Sequence, residues 1–141
     1  MSWFAPKRFK EKDRMNALAS ATDIALIQIQ IGAHGEALYE KMHTYYAMGY
    51  LFGLFQASLE SITAKELTQE DYTSHISQGF EKAYVTAKYG REIFATAHKH
   101  SAHPQFRSGQ VDGAQDYVGT LNEKDFKPTC LAEFLINSDP P

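Results

Sequence analysis

From Tyr45 to Leu59 the chain reads Tyr-Tyr-Ala-Met-Gly-Tyr-Leu-Phe-Gly-Leu-Phe-Gln-Ala-Ser-Leu, its most apolar and aromatic run. Apolar residues fall on every side of this run instead of alternating with polar ones, which argues against a half-buried strand and for a buried helix. Extended to Glu36 and Ile62, the run places Leu38, Met42, Tyr45, Gly49, Phe52, Gln56 and Leu59 at alternating spacings of four and three, the seam of a helix packed on a neighbour. Gly49, Gly53 and Ala57 form a second stripe, four residues apart. Each glycine costs a helix interior ~1 kcal/mol relative to alanine, so a packing reason is expected. His43, Gln56, Ser58, Glu60 and Ser61 interrupt the segment. Its uninterrupted apolar part is shorter than the ~20 residues of a membrane span. The segment therefore reads as the axis of a bundle, with no transmembrane segment.

The other elements follow from punctuation and periodicity. Pro6 can sit in the first turn of a helix running from about Lys7 to Ile31, on which Ala17, Ala21, Ile24, Gln28 and Ile31 share a face. The end of this helix, Ile27-Gln-Ile-Gln-Ile31, alternates like a strand. No second strand is available to pair with it, and an unpaired strand leaves its backbone groups without partners. Gly32-Ala-His-Gly35 closes the helix. Thr68 and Asp71 form a variant capping box before a helix of residues 69 to 100, whose seam is Ile76, Phe80, Ala83, Ala87, Gly90, Phe94 and Ala97. The small centre of that seam, Ala83, Ala87 and Gly90, is expected to face the Gly49, Gly53 and Ala57 stripe. Pro104 and Gly109 mark a loop, Asp112-Gly-Ala-Gln115 starts a short helix to about Leu121, and Thr129 to Asn137 forms a last one.

The expectation is an all-α fold: a bundle of three long helices, about 7–31, 36–62 and 69–100, plus two short C-terminal helices. The 141 residues match one domain, 1–141, able to bury roughly two thirds of its unfolded surface. Residues 1–9 form a basic aromatic N-terminal arm carrying Trp3, Phe4 and Phe9. Residues 1 to 14 hold five Lys and Arg against two Asp and Glu, a balance of +3, and the rest of the chain balances at −6. An acidic body argues against a general nucleic-acid binder. Cys130 is the only cysteine, so no intramolecular disulfide forms, and the first residues lack the apolar core of a secretory leader. A cytoplasmic location is the expectation.

Several residues carry potential chemistry. His98, His100 and His103 could gather around a divalent transition metal, joined by His34, His43 or His75. Spacings of two and three do not share one helix face, so the alternative is that the rings and Lys99 favour a helix C-terminus. Glu40-Lys-Met-His43 matches half of a di-iron bundle motif, but the second Glu-x-x-His is missing. Cys130, in the first turn of a helix, could have a lowered pKa. It lacks an evident base, so a small buried hydrophobe is the simpler reading. No phosphate-cradling loop or nucleophile elbow is present.

With no catalytic motif, the reading favours a non-enzymatic helical binding or regulatory module. It would act through protein–protein contacts as a homo-oligomer, with no cofactor. Trp3, Phe9, Tyr39, Tyr46 and Tyr50 are the expected partner-binding residues, because aromatic anchors are what interfaces favour. The alternative is a metal- or small-ligand-binding protein, in which enzymatic activity stays open, centred on His98, His100 and His103.

Overall fold

The computed structural model describes residues 9–32, 36–62, 66–84 and 86–137. Their regular structure is entirely helical: α1 (Glu11–Gly32), α2 (Glu36–Met42), α3 (Tyr45–Glu60), α4 (Gln69–Ala83), α5 (Ala87–Lys99), α6 (Pro104–Asn122) and α7 (Cys130–Asn137). The all-α expectation holds, with more and shorter helices than the periodicity implied. Residues 1–8 of the arm lie outside the described residues.

Hydroxyl caps divide two of the expected long helices. Thr44 takes an extended backbone (φ −84°, ψ 159°), and its side chain accepts from the Ala47 N–H, restarting the chain as α3 after α2 has ended. Thr86 (φ −131°, ψ 153°) does the same for α5 by accepting from the Tyr89 N–H. A seam written in side-chain spacing continues through such breaks, so it does not reveal them. By contrast, the expected cap at Thr68 is present in full: its hydroxyl accepts from the Asp71 N–H, and the Asp71 carboxylate accepts from the Thr68 N–H.

The expected loop from His98 to Gly109 is much shorter. His103 caps α6 by accepting the Gln105 N–H on Nδ1, and Pro104 sits at the start of that helix, where its missing N–H costs nothing. Gly109 and the sequence from Asp112 to Gln115 are thus helix interior.

α3 is the buried axis. Tyr50, Leu51, Leu54 and Phe55 have no exposed surface, and they share a core with Leu18 and Ala25 of α1, Phe80 of α4, Ile93 of α5, Phe106 of α6 and Leu135 of α7. Phe94 stands edge-on to Phe80 at 5.5 Å, and Phe106 edge-on to Phe52 at 5.6 Å.

The glycine stripe has a different partner from the one its spacing suggested. It meets α6 and not Ala83, Ala87 and Gly90. A Cβ on Gly49 would collide with the Phe106 carbonyl, and one on Gly53 with the Gln110 carbonyl; reciprocally, Gly109 lies on the Tyr46 carbonyl and Gly113 on that of Tyr50. Four residues along α3 correspond to four along α6, so the two helices run parallel, backbone against backbone, a spacing that admits Cα–H···O contacts. No short loop can join parallel neighbours. The α4–α5 pair is the crossover that returns the chain to the start of α3. Gly90 packs instead on the Phe80 carbonyl within that pair.

Candidate functional site

Two buried polar clusters hang from α3, one near its start and one near its end. At the start, the Tyr50 hydroxyl donates to Asp116 Oδ2 on α6 (2.7 Å) and accepts from Gln28 Nε2 on α1 (2.7 Å). Gln28 Oε1 accepts the Leu131 and Ala132 N–H groups (2.9 and 3.1 Å), while its amide also donates to the Ile24 carbonyl. Asp116 Oδ2 takes the Cys130 N–H at 3.2 Å. The orphan donors that open α7 are therefore satisfied by side chains far away in sequence. A carboxylate at a helix N-terminus is favourably placed.

Cys130 donates its thiol to Asp116 Oδ1 at 3.5 Å. Burial, and next the nearby Asp116 charge, push this thiol up to about 12, the reverse of the activation its helix position suggested. Next to the cluster the Tyr46 hydroxyl donates to Asp112 at 2.7 Å, and its ring stacks on Phe134 at 4.5 Å. Burial raises the Tyr46 and Tyr50 phenols well above their ordinary range, so both stay protonated donors.

The second cluster joins α1, α3 and α4. Arg14 reaches His75 Nδ1 at 3.2 Å, and His75 Nε2 lies 2.8 Å from Ser58 Oγ, which donates to the Phe55 carbonyl. Arginine has no acceptor, so Nδ1 accepts and the proton resides on Nε2, which donates to Ser58. Burial first, and then the Arg14 charge, push the His75 pKa down to about 4, which keeps the ring neutral. Arg14 is itself paired with Glu11 on the outer side. Serine, histidine and a charged residue in line resemble hydrolytic machinery, but here the third member is a cation and both Ser58 and His75 are fully buried. No substrate reaches the hydroxyl. Both clusters are structural joints.

The other sequence candidates disperse. His103 Nδ1 is spent on the α6 cap and its ring stacks on Tyr45 at 3.9 Å; His100 meets the edge of the same tyrosine, and His98 lies near Phe94. Among the described residues no three of His, Cys, Asp and Glu are gathered so that they could hold a metal ion. His43 sits in the turn after α2, its Nδ1 3.1 Å from the Tyr89 hydroxyl.

Of the aromatic residues expected at an interface, Tyr50 lies wholly inside the chain, and Tyr46 and Phe9 are half-buried. Trp3 falls outside the described residues. Tyr39 alone is well exposed, at 53%, stacked on Tyr89 with centroids 5.0 Å apart.

The outward surface carries features that aromatic content did not signal. On α6, Val111, Val118 and Leu121 are 54%, 48% and 55% exposed. With half-buried Ala114 they fall at spacings of three and four along the face opposite α3. No exposed residue from Ser108 to Asn122 is charged. Elsewhere, Leu26, Ile29, Leu38, Met42, Tyr84 and Tyr89 line an apolar groove of about 290 Å³ between α1, α2 and the α4–α5 junction. A more polar concavity of about 680 Å³ lies beside Arg14 and Asp71, whose groups pair within it, Arg14 with Glu11 and Asp71 with the Thr68 N–H. Among the described residues no helix is long and apolar enough to cross a membrane. No family model, curated protein or solved structure matches this chain.

Proposed function

We propose that the chain is a non-catalytic binding module that works through protein contacts and associates with copies of itself, in a cytoplasmic setting. One observation supports this reading most directly: the uncharged apolar stripe Val111, Ala114, Val118 and Leu121 on the outer face of α6. Single exposed apolar residues are ordinary, but a contiguous row at helical seam spacing is a contact surface in waiting. The body of the protein is acidic, so copies repel one another across most of their surface. The stripe itself is uncharged, with Glu123 and Asp13 at its edges, and charge depletion at the centre with charges at the rim is the pattern of interfaces. The close parallel contact with α3 holds α6 rigid beneath the stripe. Rigid presentation lowers the ordering cost of binding. Reactive groups point the same way: Ser58, His75, Asp116 and Cys130 are consumed in internal hydrogen bonds.

Sedimentation equilibrium on the full chain tests the reading. The native protein should show a reversible dimer, and Val118→Glu should return it to monomer with little change in melting temperature, since Val118 is half in solvent. A native protein that stays monomeric up to about 1 mM removes this reading, because weaker association lies below a specific contact.

A further inference from the structure

The groove beside α2 points to a small-molecule site that does not depend on the α6 surface. Its floor comes from Leu26 and Ile29 of α1 and Ala83 of α4, and its sides from Leu38 and Met42 of α2 and the Tyr84 and Tyr89 rings. The hydroxyls among these groups are already occupied. Tyr84 donates to the Met42 carbonyl at 2.7 Å, and the Tyr89 hydroxyl is 3.1 Å from His43 Nδ1. Tyr39 also lines the groove, its ring stacked on that of Tyr89 and half in solvent. The walls therefore offer mainly apolar surface and ring faces to a ligand body.

The rim is different. Lys82 lines the groove, is exposed, and makes no ion pair among the described residues; its neighbour Glu81 is turned toward Arg91 at 3.7 Å. A cation at the mouth of an apolar slot is complementary to a ligand with an apolar body and one anionic end. The space of about 290 Å³ is that of roughly ten water-sized groups. That matches one medium-length alkyl chain and is too small for a bulky polycyclic ligand. We propose that this groove binds a free medium-chain monocarboxylate, its chain between α1 and the two tyrosine rings and its carboxylate at Lys82.

The methionines report on occupancy. Met42 lines the groove, Met48 is in the core, and Met15 is exposed on another part of α1. In the methyl spectrum of the full chain labelled with ¹³C-methyl methionine, decanoate should shift the Met42 signal saturably and leave Met15 unmoved. Decylamine, with the same chain and the opposite charge, should not bind, and decanol should bind more weakly than decanoate. Lys82→Ala, at an exposed position, should weaken decanoate by roughly two- to fivefold, the range of a partly solvated ion pair. Leu26→Trp, also at a partly exposed position, narrows the slot and should weaken decanoate and decanol together. The proposal is overturned by the absence of a saturable Met42 shift, by equal binding of the three probes, or by decanoate affinity unchanged in Lys82→Ala. A Met42 signal that moves with protein concentration alone also overturns it, because a second copy would then occupy the groove.

Discussion

Gly49 and Gly53 face Gly109 and Gly113 across two helices about sixty residues apart in the chain, whereas Ala83, Ala87 and Gly90 surround a turn between helices adjacent in sequence. Both groups are runs of small residues at helical spacing. In the first, backbone lies on backbone over more than two turns of parallel helix, so each missing side chain sets the distance between α3 and α6. In the second, Ala83 ends α4, Ala87 opens α5, and Gly90 lets α5 fold back onto the Phe80 carbonyl. A small-residue stripe specifies close approach and leaves the partner open. What chooses the partner is polar and aromatic matter flanking the stripe: Tyr50 with Asp116, Tyr46 with Asp112, and Gln56 with Gln110 at 2.8 Å, all across α3 and α6.

The sharpest way to break this distinction is to add methyl groups to both seams. Gly53→Ala together with Gly109→Ala gains the helix preference of alanine, ~1 kcal/mol at each site. It also drives two Cβ atoms into the Gln110 and Tyr46 carbonyls. Neither helix can withdraw without losing the Tyr50–Asp116 joint, so overpacking should win, with a net loss of about 4 kcal/mol. Gly90→Ala meets the Phe80 carbonyl at a single site, between helices adjacent in sequence, and after the gain in helix preference the net loss should be about 1 kcal/mol. Urea unfolding midpoints measure both. Equal losses would show that the two seams are constrained alike.

The two seams also show what could be read from residues alone. Burial of the Tyr45–Leu59 run was legible because it depends only on apolar residues surrounding a helix, and the Thr68–Asp71 cap because its partners are three apart. The breaks at Thr44 and Thr86 were not: both are ordinary threonines until their own backbone turns extended. Pro104 was legible as punctuation but not as to side, since proline both ends and opens helices. Gln28, Asp116 and the α7 cap had no sequence signal, because they join residues from 14 to 104 positions apart on different helices. Of the apolar stripe on α6, the expected loop hid only Val111; Ala114, Val118 and Leu121 lay in the expected short helix, but their spacing does not say which face of a helix stays in solvent. Aromatic residues were a poor guide to surface here, because Tyr50 proved to be a core donor.

Acid should act on the α4 side of the comparison first. His75 is the residue of α4 that joins α1 and α3, and it is held neutral, its pKa near 4. In the unfolded chain the same ring takes up a proton near ~6.5. Because the folded value is the lower one, this contribution is intact above that pH and is lost as pH falls toward 4, with nothing further from His75 below. The span corresponds to about 3 kcal/mol. Glu11, the outer partner of Arg14, is held below the ordinary carboxylate value mainly by its hydrogen bond from that residue. His75→Gln should therefore be less stable than the native protein at neutral pH, with the difference shrinking between pH 6.5 and 4. Thermal melts of the two proteins across that range decide it: a constant difference would mean that His75 does not titrate in the window its burial implies.

The smallest effect concerns how helices begin on the two sides. α4 starts with a cap made inside four residues, the Thr68 hydroxyl on the Asp71 N–H and the Asp71 carboxylate on the Thr68 N–H, both in exposed positions. α7 starts with donors held by Gln28 and Asp116, which other helices supply. A local cap fails locally. Thr68→Ala removes one acceptor that water can partly replace, so the loss should be about 1 kcal/mol, and Thr68→Ser should recover most of it. The denaturant slope should stay unchanged, since no buried surface is involved. If Thr68→Ala instead lowers stability by several kcal/mol, the start of α4 is coupled to the His75 joint seven residues later, and the α4–α5 crossover is as tightly specified as the glycine contact it connects.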